Sequence, residues 1–85
     1  MEDIFAPAML GGVNCKNRFI RSATHEGLAD AEGRVTDELI NMYVRLAEGG
    51  AGAIITGDAA VRQDGKNSIY NTNMIHRDEY IDGYR

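Results

Sequence analysis

His25 and Glu26 stand side by side, directly after the small residues Ser22, Ala23 and Thr24. An imidazole next to a carboxylate suits either a solvent-facing loop or the rim of an active site. A zinc-protease H-E-x-x-H helix would need a second histidine at position 29, where the sequence has alanine. The pair alone therefore predicts no metal site, and its chemistry depends on the elements that position it.

Three other arrangements fail in spacing or order. The run GGAGA would need a glycine where Ile55 stands, and it follows a predicted helix, whereas a dinucleotide-binding loop opens one. The acids around Asp30 lack the later ligands of a calcium loop. Cys15, beside Lys16, is best explained as a small packing residue. None of the three predicts a functional site.

Composition narrows the possible functions. The 85 residues carry nine basic and 13 acidic side chains, and the basic residues are scattered, which argues against nucleic-acid binding. A single cysteine excludes an intrachain disulfide framework. The longest apolar run, AGAIIT, is too short to span a bilayer, and no secretory signal is visible. We expect a cytoplasmic protein that binds neither nucleic acid nor a membrane.

Periodicity and turn residues predict five elements. The Gly-Gly pair at 11–12 indicates a hairpin, and Thr36 caps a helix whose apolar stripe includes Leu39 and Tyr43. The continuous apolar run after that helix is typical of a strand in a parallel sheet. The predicted elements are a hairpin at 1–17, strands at 18–24 and 52–57, and helices at 37–48 and 77–85, with exposed loops at 25–35 and 58–75.

The order of hairpin, β, α, β, α predicts an α/β fold, either a doubly wound sheet or a barrel. Two parallel strands complete neither fold and leave edges unpaired, so we expect a piece of a larger protein or a chain that self-associates. Ligands of both folds bind at the carboxyl ends of the parallel strands. Here these ends read SATHE and TGDAA, small residues that let a flat ligand approach the backbone.

Four stretches of the chain together resemble the start of the Old Yellow Enzyme type of NADH:flavin oxidoreductases. They read IFAPAMLGGVNCKNRFIRSAT, GRVTDELINMYVRLAEGGAGAIITGDAAV, IYNTNMI and DEYIDGYR, and they cover the chain almost end to end. The endings RSAT and TGDAA are most similar to the branch that includes 2,4-dienoyl-CoA reductases and trimethylamine dehydrogenase. The resemblance implies that residues 1–85 form the N-terminal portion of a single FMN-binding (β/α)8 TIM barrel domain.

The same resemblance implies hydride transfer from NADH or NADPH through FMN to an activated C=C bond of a small-molecule substrate. The family's flavin lies on the ends of the first two strands. Many members have proline at the position of Ala23, and threonine or cysteine at that of His25, where the side chain tunes the flavin. The implied cofactor-binding residues are Ser22, Ala23, Thr24, His25, Gly57 and Asp58.

Two charged residues near these strand ends need partners. Asp58 is bulkier and more acidic than is usual in the family, so we expect it to turn toward a loop. Arg21 lies within the first predicted strand, where an unpaired arginine would be costly. We expect Arg21 to cap the barrel interior or to pair with an acid from a strand outside this chain.

By the resemblance, the catalytic residues and the cysteines of any iron–sulfur cluster belong to later parts of a longer chain. We therefore expect these 85 residues alone to bind FMN poorly or not at all and to be inactive. Two alternatives stay open. One is a βαβα piece of another phosphate- or cofactor-binding barrel enzyme, and the other is a non-enzymatic module that self-associates to cover its sheet edges.

Overall fold

The structure is a computed structural model that describes residues 3–65 and 71–85. It begins with the hairpin that the Gly-Gly turn predicts. Strand β1 (Ala8–Leu10) pairs in antiparallel fashion with β2 (Val13–Cys15). Gly11 and Gly12 have φ values of 55° and 89°, the left-handed backbone that a primed two-residue turn requires.

A parallel pair of strands follows. Strand β3 (Ile20–Arg21) pairs with β4 (Ala53–Ile54), and Ile20 lies opposite Ala53. Both strands are shorter than the predicted ranges of 18–24 and 52–57. The flanking residues find no neighbouring strand among the described residues with which to extend the ladder.

Helix α1 (Asp37–Glu48) connects β3 to β4 over the range that the sequence predicts. The Thr36 hydroxyl accepts a hydrogen bond from the Leu39 N–H at 3.1 Å, which satisfies one of the free donors of the first turn. Leu39 is buried and anchors the apolar stripe. Gly50 follows the helix with a φ of 111°, so the chain can turn sharply into β4.

Two polar side chains attach the hairpin to the end of α1. The Lys16 ammonium donates to the Ala47 carbonyl at 2.9 Å, and the Asn17 amide donates to the Gly50 carbonyl at 2.6 Å. A side chain at Gly52 would overlap the Asn17 backbone, so glycine is required there. We call Lys16 and Asn17 the hairpin clasp, because they fix the start of β3 against the βαβ unit.

The segment 25–35 is not the exposed loop that its acids and glycines predict. The Asp30 carboxylate accepts from the Arg34 N–H at 2.8 Å and folds the segment into a compact turn. Gly33 is buried with a φ of 86°, and a side chain there would overlap Met74. Its carbonyl accepts from the Met74 N–H at 3.0 Å. The expectation is wrong because the partner that covers this loop comes from a distant part of the sequence.

The segment 58–75, predicted as a second loop, contains another parallel pair. Strand β5 (Ala59–Ala60) lies beside β6 (Asn73–Met74), and the part of this segment at 66–70 lies outside the described residues. Asn73 and Met74 are buried, so their part of the segment is not exposed as predicted.

The last described element falls within the predicted helix at 77–85. A 3₁₀ turn (Asp78–Tyr80) leads into the short helix α2 (Ile81–Tyr84). Its Tyr80 packs with Ala60 and Met74 in a small buried core. The described residues thus form a mixed arrangement of helices and three two-stranded sheets, as an α/β class predicts, and do not by themselves close a barrel.

Candidate cofactor-binding site

Strand β3 leads into an exposed segment, Ser22–Ala23–Thr24, which we call the first strand end. The Thr24 hydroxyl donates to the Ser22 carbonyl at 3.0 Å, which stabilises a local turn. Across residues 3–65 and 71–85, no backbone carbonyl accepts from the N–H groups of these three residues. The first strand end therefore presents backbone donors that a ligand can use.

Gly57 lies buried where the polypeptide leaves β4. A side chain at this position would overlap the Thr24 carbonyl oxygen and the Glu26 carboxylate. The Gly57 N–H donates to the Tyr43 hydroxyl at 3.1 Å. The absence of a side chain at Gly57 thus lets the two strand ends meet, so its small size serves a contact within the chain.

His25 and Asp58 join the two strand ends. Nδ1 of His25 lies 3.1 Å from Oδ1 of Asp58, and their side chains are 22% and 46% exposed. A carboxylate at this distance favours the tautomer that carries a proton on Nδ1. Asp58 turns toward the loop that starts at His25, the direction expected for an acid on this face. The sequence predicts that each residue lies at a strand end, and the structure adds their direct contact.

Glu26 is the centre of a buried polar cluster. Its side chain is 2% exposed. The carboxylate accepts from the Arg21 guanidinium at 3.2 Å, from the Tyr43 hydroxyl at 2.8 Å and from the Asn73 amide at 3.4 Å. Three donors around one carboxylate offset the cost of taking its charge out of water. The Glu26 network, as we call it, comprises Glu26, Arg21, Tyr43, Gly57 and Asn73.

Arg21 finds its acid inside this chain. Arg21 is expected either to cap the barrel interior or to pair with an acid from a strand outside this chain, and the structure instead pairs it with Glu26, five positions further on. The guanidinium also lies 5.8 Å from the ring centroid of Tyr43 and donates to the Ile55 carbonyl at 3.4 Å. The expected pairing with an outside acid is wrong because the polypeptide after β3 turns back and places the Glu26 carboxylate beside Arg21 of the same strand.

Tyr43 links helix α1 to both strand ends, since its hydroxyl donates to Glu26 and accepts from Gly57. Burial is the largest cause that raises the pKa of Tyr43 above its ordinary value. The Gly57 N–H lowers this pKa, and the neighbouring Glu26 carboxylate raises it. The hydroxyl therefore stays protonated at neutral pH and keeps its role as a donor to Glu26.

The structure brings the six predicted site residues to two adjoining strand ends, and it adds Glu26, which the sequence marks only as the neighbour of His25, together with Tyr43 and Asn73, which no pattern marks as functional. Tyr43 belongs to an apolar helix stripe, and Asn73 falls within a predicted loop. Glu26 had one usable signal, its position five residues after an arginine in a strand that needed an acid. Its burial could not be predicted, because two of its three donors come from α1 and β6.

An apolar cleft of about 440 Å³ lies between α1 and α2. Its walls are mostly apolar, with Leu39 and Tyr84 among them, and the cleft also reaches Tyr43, Gly57 and Asn73 of the Glu26 network. Burial raises the pKa of Tyr84, whose hydroxyl donates to the Met74 carbonyl at 3.0 Å. A ligand with polar ring edges would find few partners in this cleft, so the strand ends are the better candidate site.

Residues 3–65 and 71–85 contain no group of three His, Cys, Asp or Glu side chains placed to hold a metal ion. The same residues include no helix of the length and apolar character needed to cross a membrane.

Comparison with known proteins identifies the family. Residues 3–85 match the model of the NADH:flavin oxidoreductase / NADH oxidase family. The chain belongs to this family. It is 35% identical over 85 residues to a metal reductase of Desulforamulus reducens, and the match covers all of this chain and 12% of that protein.

Two other relatives likewise match nearly all of this chain and a small part of their own length. A 4,4'-dithiodibutanoate disulfide reductase of Rhodococcus erythropolis is 36% identical over 78 residues, 92% of this chain and 17% of that protein. An NADH oxidase of Thermoanaerobacter brockii is 27% identical over 82 residues, 96% of this chain and 13% of that protein. The chain thus spans between 12% and 17% of the length of these relatives.

The chemistry of the first strand end fits a flavin. The pyrimidine edge of the ring carries carbonyl oxygens and a nitrogen that accept hydrogen bonds, and it gains negative charge on reduction. Ser22, Ala23 and Thr24 offer exposed N–H groups that no backbone carbonyl of the described chain accepts. Side chains no larger than threonine allow a flat ring to approach this backbone.

Proposed function

We propose that this chain supplies the first two βα units of an FMN-binding (β/α)8 barrel whose activity is reductive. The whole protein would pass a hydride from NADH or NADPH to a small-molecule acceptor, such as an activated C=C bond. Family membership and the parallel β3–α1–β4 unit support this proposal. A cytoplasmic location, and the rest of the barrel as the partner that covers the exposed edges, are part of the same proposal.

The observation that carries the proposal is the first strand end. Ser22, Ala23 and Thr24 lie at the carboxyl end of a parallel strand, which is where ligands of barrel enzymes bind. Bound FMN would supply the ability to accept and donate a hydride. In this proposal, the three backbone N–H groups hold the polar edge of the ring and favour its reduced form.

The rim pair has a separate role in the proposal. His25 faces the ring edge or the substrate, and Asp58 orients its imidazole through the 3.1 Å contact at Nδ1. Asp58 itself points at His25, so its charge is held away from the reduced ring. Gly57 acts by allowing the strand ends to meet, as its close approach to Thr24 indicates.

The acceptor substrate is the least constrained part of the proposal. The relatives carry names that refer to metal, to a disulfide and to NADH oxidation, which share reduction and differ in the acceptor. This range is consistent with a common flavin-holding segment and with substrate residues located elsewhere in the barrel. We therefore assign the residues of this chain to the cofactor and none to the choice of acceptor.

Flavin titration of the barrel-length protein tests the proposal. We expect a yellow protein that binds FMN and oxidises NADH or NADPH, whereas the isolated 85 residues bind FMN weakly or not at all. A barrel-length protein that stays colourless with saturating FMN would refute the flavin function and favour another barrel enzyme. Sedimentation of the isolated chain addresses the remaining alternative, because a stable oligomer would indicate a self-associating module.

Replacement of His25 tests its role separately. We expect His25→Ala in the barrel-length protein to shift the flavin reduction potential or to weaken substrate binding. The matched control is His76→Ala, since His76 lies outside the two strand ends and contacts Tyr80. An unchanged potential together with an unchanged substrate affinity would remove His25 from the site and leave the flavin proposal standing.

A further inference from the structure

We infer that Glu26 and Tyr43 are positioning residues for the flavin face, and that they act by fixing the peptide at Gly57 and the turn of the first strand end. This inference rests on the proposed FMN function and extends it to residues that do not touch the cofactor in the proposal. It follows from the Glu26 network, which joins β3, α1, β6 and the end of β4 at one carboxylate.

The first step is the continuity of the contacts. The Gly57 N–H donates to the Tyr43 hydroxyl at 3.1 Å, and that hydroxyl donates to Glu26 at 2.8 Å. The backbone amide that follows β4 is therefore linked, through the Tyr43 hydroxyl of α1, to Glu26 in the segment after the first strand end. Because the Tyr43 hydroxyl accepts from the Gly57 N–H, its single proton is left to donate to the Glu26 carboxylate.

The second step is the close packing around Gly57. The space that a side chain would occupy there is filled by the Thr24 carbonyl and the Glu26 carboxylate. The carboxylate thus contacts the same peptide from which the Tyr43 hydroxyl accepts. The Glu26 carboxylate and the Thr24 carbonyl share the space beside Gly57, so a displaced Glu26 is expected to alter the packing of Thr24 against Gly57 and the geometry of the backbone donors at Ser22–Thr24.

The third step is the burial of the network. The Glu26 side chain is 2% exposed and that of Arg21 is 18% exposed, so water competes little for these hydrogen bonds. Glu26 also directly follows His25, whose imidazole contacts Asp58, the residue after Gly57. The network and the rim pair therefore hold the same two strand ends, one from the interior and one from the surface.

Glu26→Gln and Tyr43→Phe are the informative variants. In Glu26→Gln, an amide NH₂ replaces one carboxylate oxygen and faces one of three existing donors. In Tyr43→Phe, the Gly57 N–H loses its acceptor. The matched controls are Glu48→Gln, an exposed glutamate at the end of α1, and Tyr84→Phe, a tyrosine whose hydroxyl donates to the Met74 carbonyl and bonds to neither Glu26 nor Gly57.

The first measurement needs no flavin. Amide hydrogen exchange of the barrel-length apoprotein should show Gly57 exchanging about 10-fold faster in Tyr43→Phe than in the wild type, with no such change in Tyr84→Phe. Equal exchange at Gly57 in the two variants would overturn the inference, whatever the protein binds.

The second measurement uses FMN-loaded protein. We expect Glu26→Gln and Tyr43→Phe to bind FMN about 5- to 10-fold more weakly and to shift its reduction potential to more negative values, because the donors to the reduced ring are displaced. Glu48→Gln and Tyr84→Phe should match the wild type in both. A lower melting temperature with unchanged affinity and potential would show a purely structural role and overturn the inference. Absence of FMN binding by the wild type would instead refute the proposed function.

Discussion

The two ends of the parallel strands β3 and β4 differ in how their neighbouring side chains are covered. At the carboxyl ends, Glu26 is 2% exposed and has donors from a strand, a helix and a distant segment. Next to the amino ends, the hairpin leaves Phe5, Met9 and Val13 exposed by 68%, 66% and 64%. The chain thus surrounds the buried Glu26 carboxylate with donors of its own, whereas it leaves large apolar side chains next to the hairpin uncovered.

The difference follows from the energies involved. A buried carboxylate without donors is costly, so its partners must lie within the unit that buries it. Leaving an apolar side chain exposed to water costs less free energy than burying a carboxylate without donors, so such a side chain is tolerated at a surface. The carboxylate at the strand ends therefore has all its donors within the described residues, whereas the hairpin exposes an apolar surface.

Replacing Glu26 by alanine should have the largest effect on this contrast. The change leaves the Arg21 guanidinium largely buried without its carboxylate, and loss of one member of such a pair costs about 3–5 kcal/mol. Chemical unfolding followed by circular dichroism measures this loss. The exposed Glu48→Ala is the control and should stay within about 0.5 kcal/mol of the wild type. Equal losses in the two variants would contradict a buried, paired carboxylate.

Gly57→Ala should have the next largest effect. A methyl group there overlaps the Thr24 carbonyl and the Glu26 carboxylate, and overpacking of this kind costs about 1–3 kcal/mol. Gly65→Ala is the matched control, because the nearest atom to its added methyl group would lie 4.0 Å away. The same unfolding measurement applies. If Gly57→Ala proves as stable as Gly65→Ala, the strand ends are not in close contact.

Tyr43→Phe should destabilise the chain by about 1–2 kcal/mol, since the Gly57 N–H and the Glu26 carboxylate both lose a partner. Tyr84→Phe, which loses one hydrogen bond to a carbonyl, should cost about half as much. Thermal or chemical unfolding compares them. A larger loss in Tyr84→Phe would show that the polar cluster contributes less than the short helix α2.

Alkaline pH should weaken the folded state through two tyrosines. Burial raises the folded-state pKa of Tyr43 and of Tyr84 above the unfolded value of about 10. Their contribution to stability is present below that pH and declines as the pH rises through the folded-state pKa. Unfolding measured between about pH 8 and pH 11 should show this decline, and a Tyr43→Phe/Tyr84→Phe double variant should show less of it. An unaltered decline would exclude both groups.

The smallest change in stability is expected on the hairpin. Met9→Lys alters a side chain that is 66% exposed, so its unfolding free energy should change by no more than about 0.5 kcal/mol. Binding of an apolar fluorescent dye should nevertheless fall, because the exposed surface becomes charged. A marked loss of stability would indicate that Met9 is already covered by the chain, which would weaken the contrast between the two ends.

The elements that sequence patterns predict well are those with local causes. Helix α1 has its predicted range because Thr36, the apolar stripe and the following glycines all lie within or beside it. The hairpin turn depends on two adjacent glycines in the left-handed region. Each of these signals lies within the element that it defines, so no knowledge of the rest of the fold is needed.

The position of the candidate site could be predicted from the sequence, but the hydrogen bonds that hold it together could not. The rule on carboxyl ends of strands selects the stretches SATHE and TGDAA, and the family resemblance narrows them to Ser22–Thr24, His25, Gly57 and Asp58. The contacts of Glu26 with Tyr43 and Asn73 join residues 17 and 47 positions apart, which no local pattern can show. The burial of Gly33 within the 25–35 segment is equally non-local, because Met74 covers it.

The burial of Cys15 next to the hairpin clasp makes it a natural reporter of motion. The residue is 9% exposed, and it is the single cysteine of the sequence. Cys15 lies beside a small cavity lined also by Ile20 and Ala53 of the β3–β4 pair, so the rate of labelling by a thiol reagent reports how often the hairpin moves away from that pair. Cys15 thus serves as a built-in chemical probe of how often the hairpin detaches.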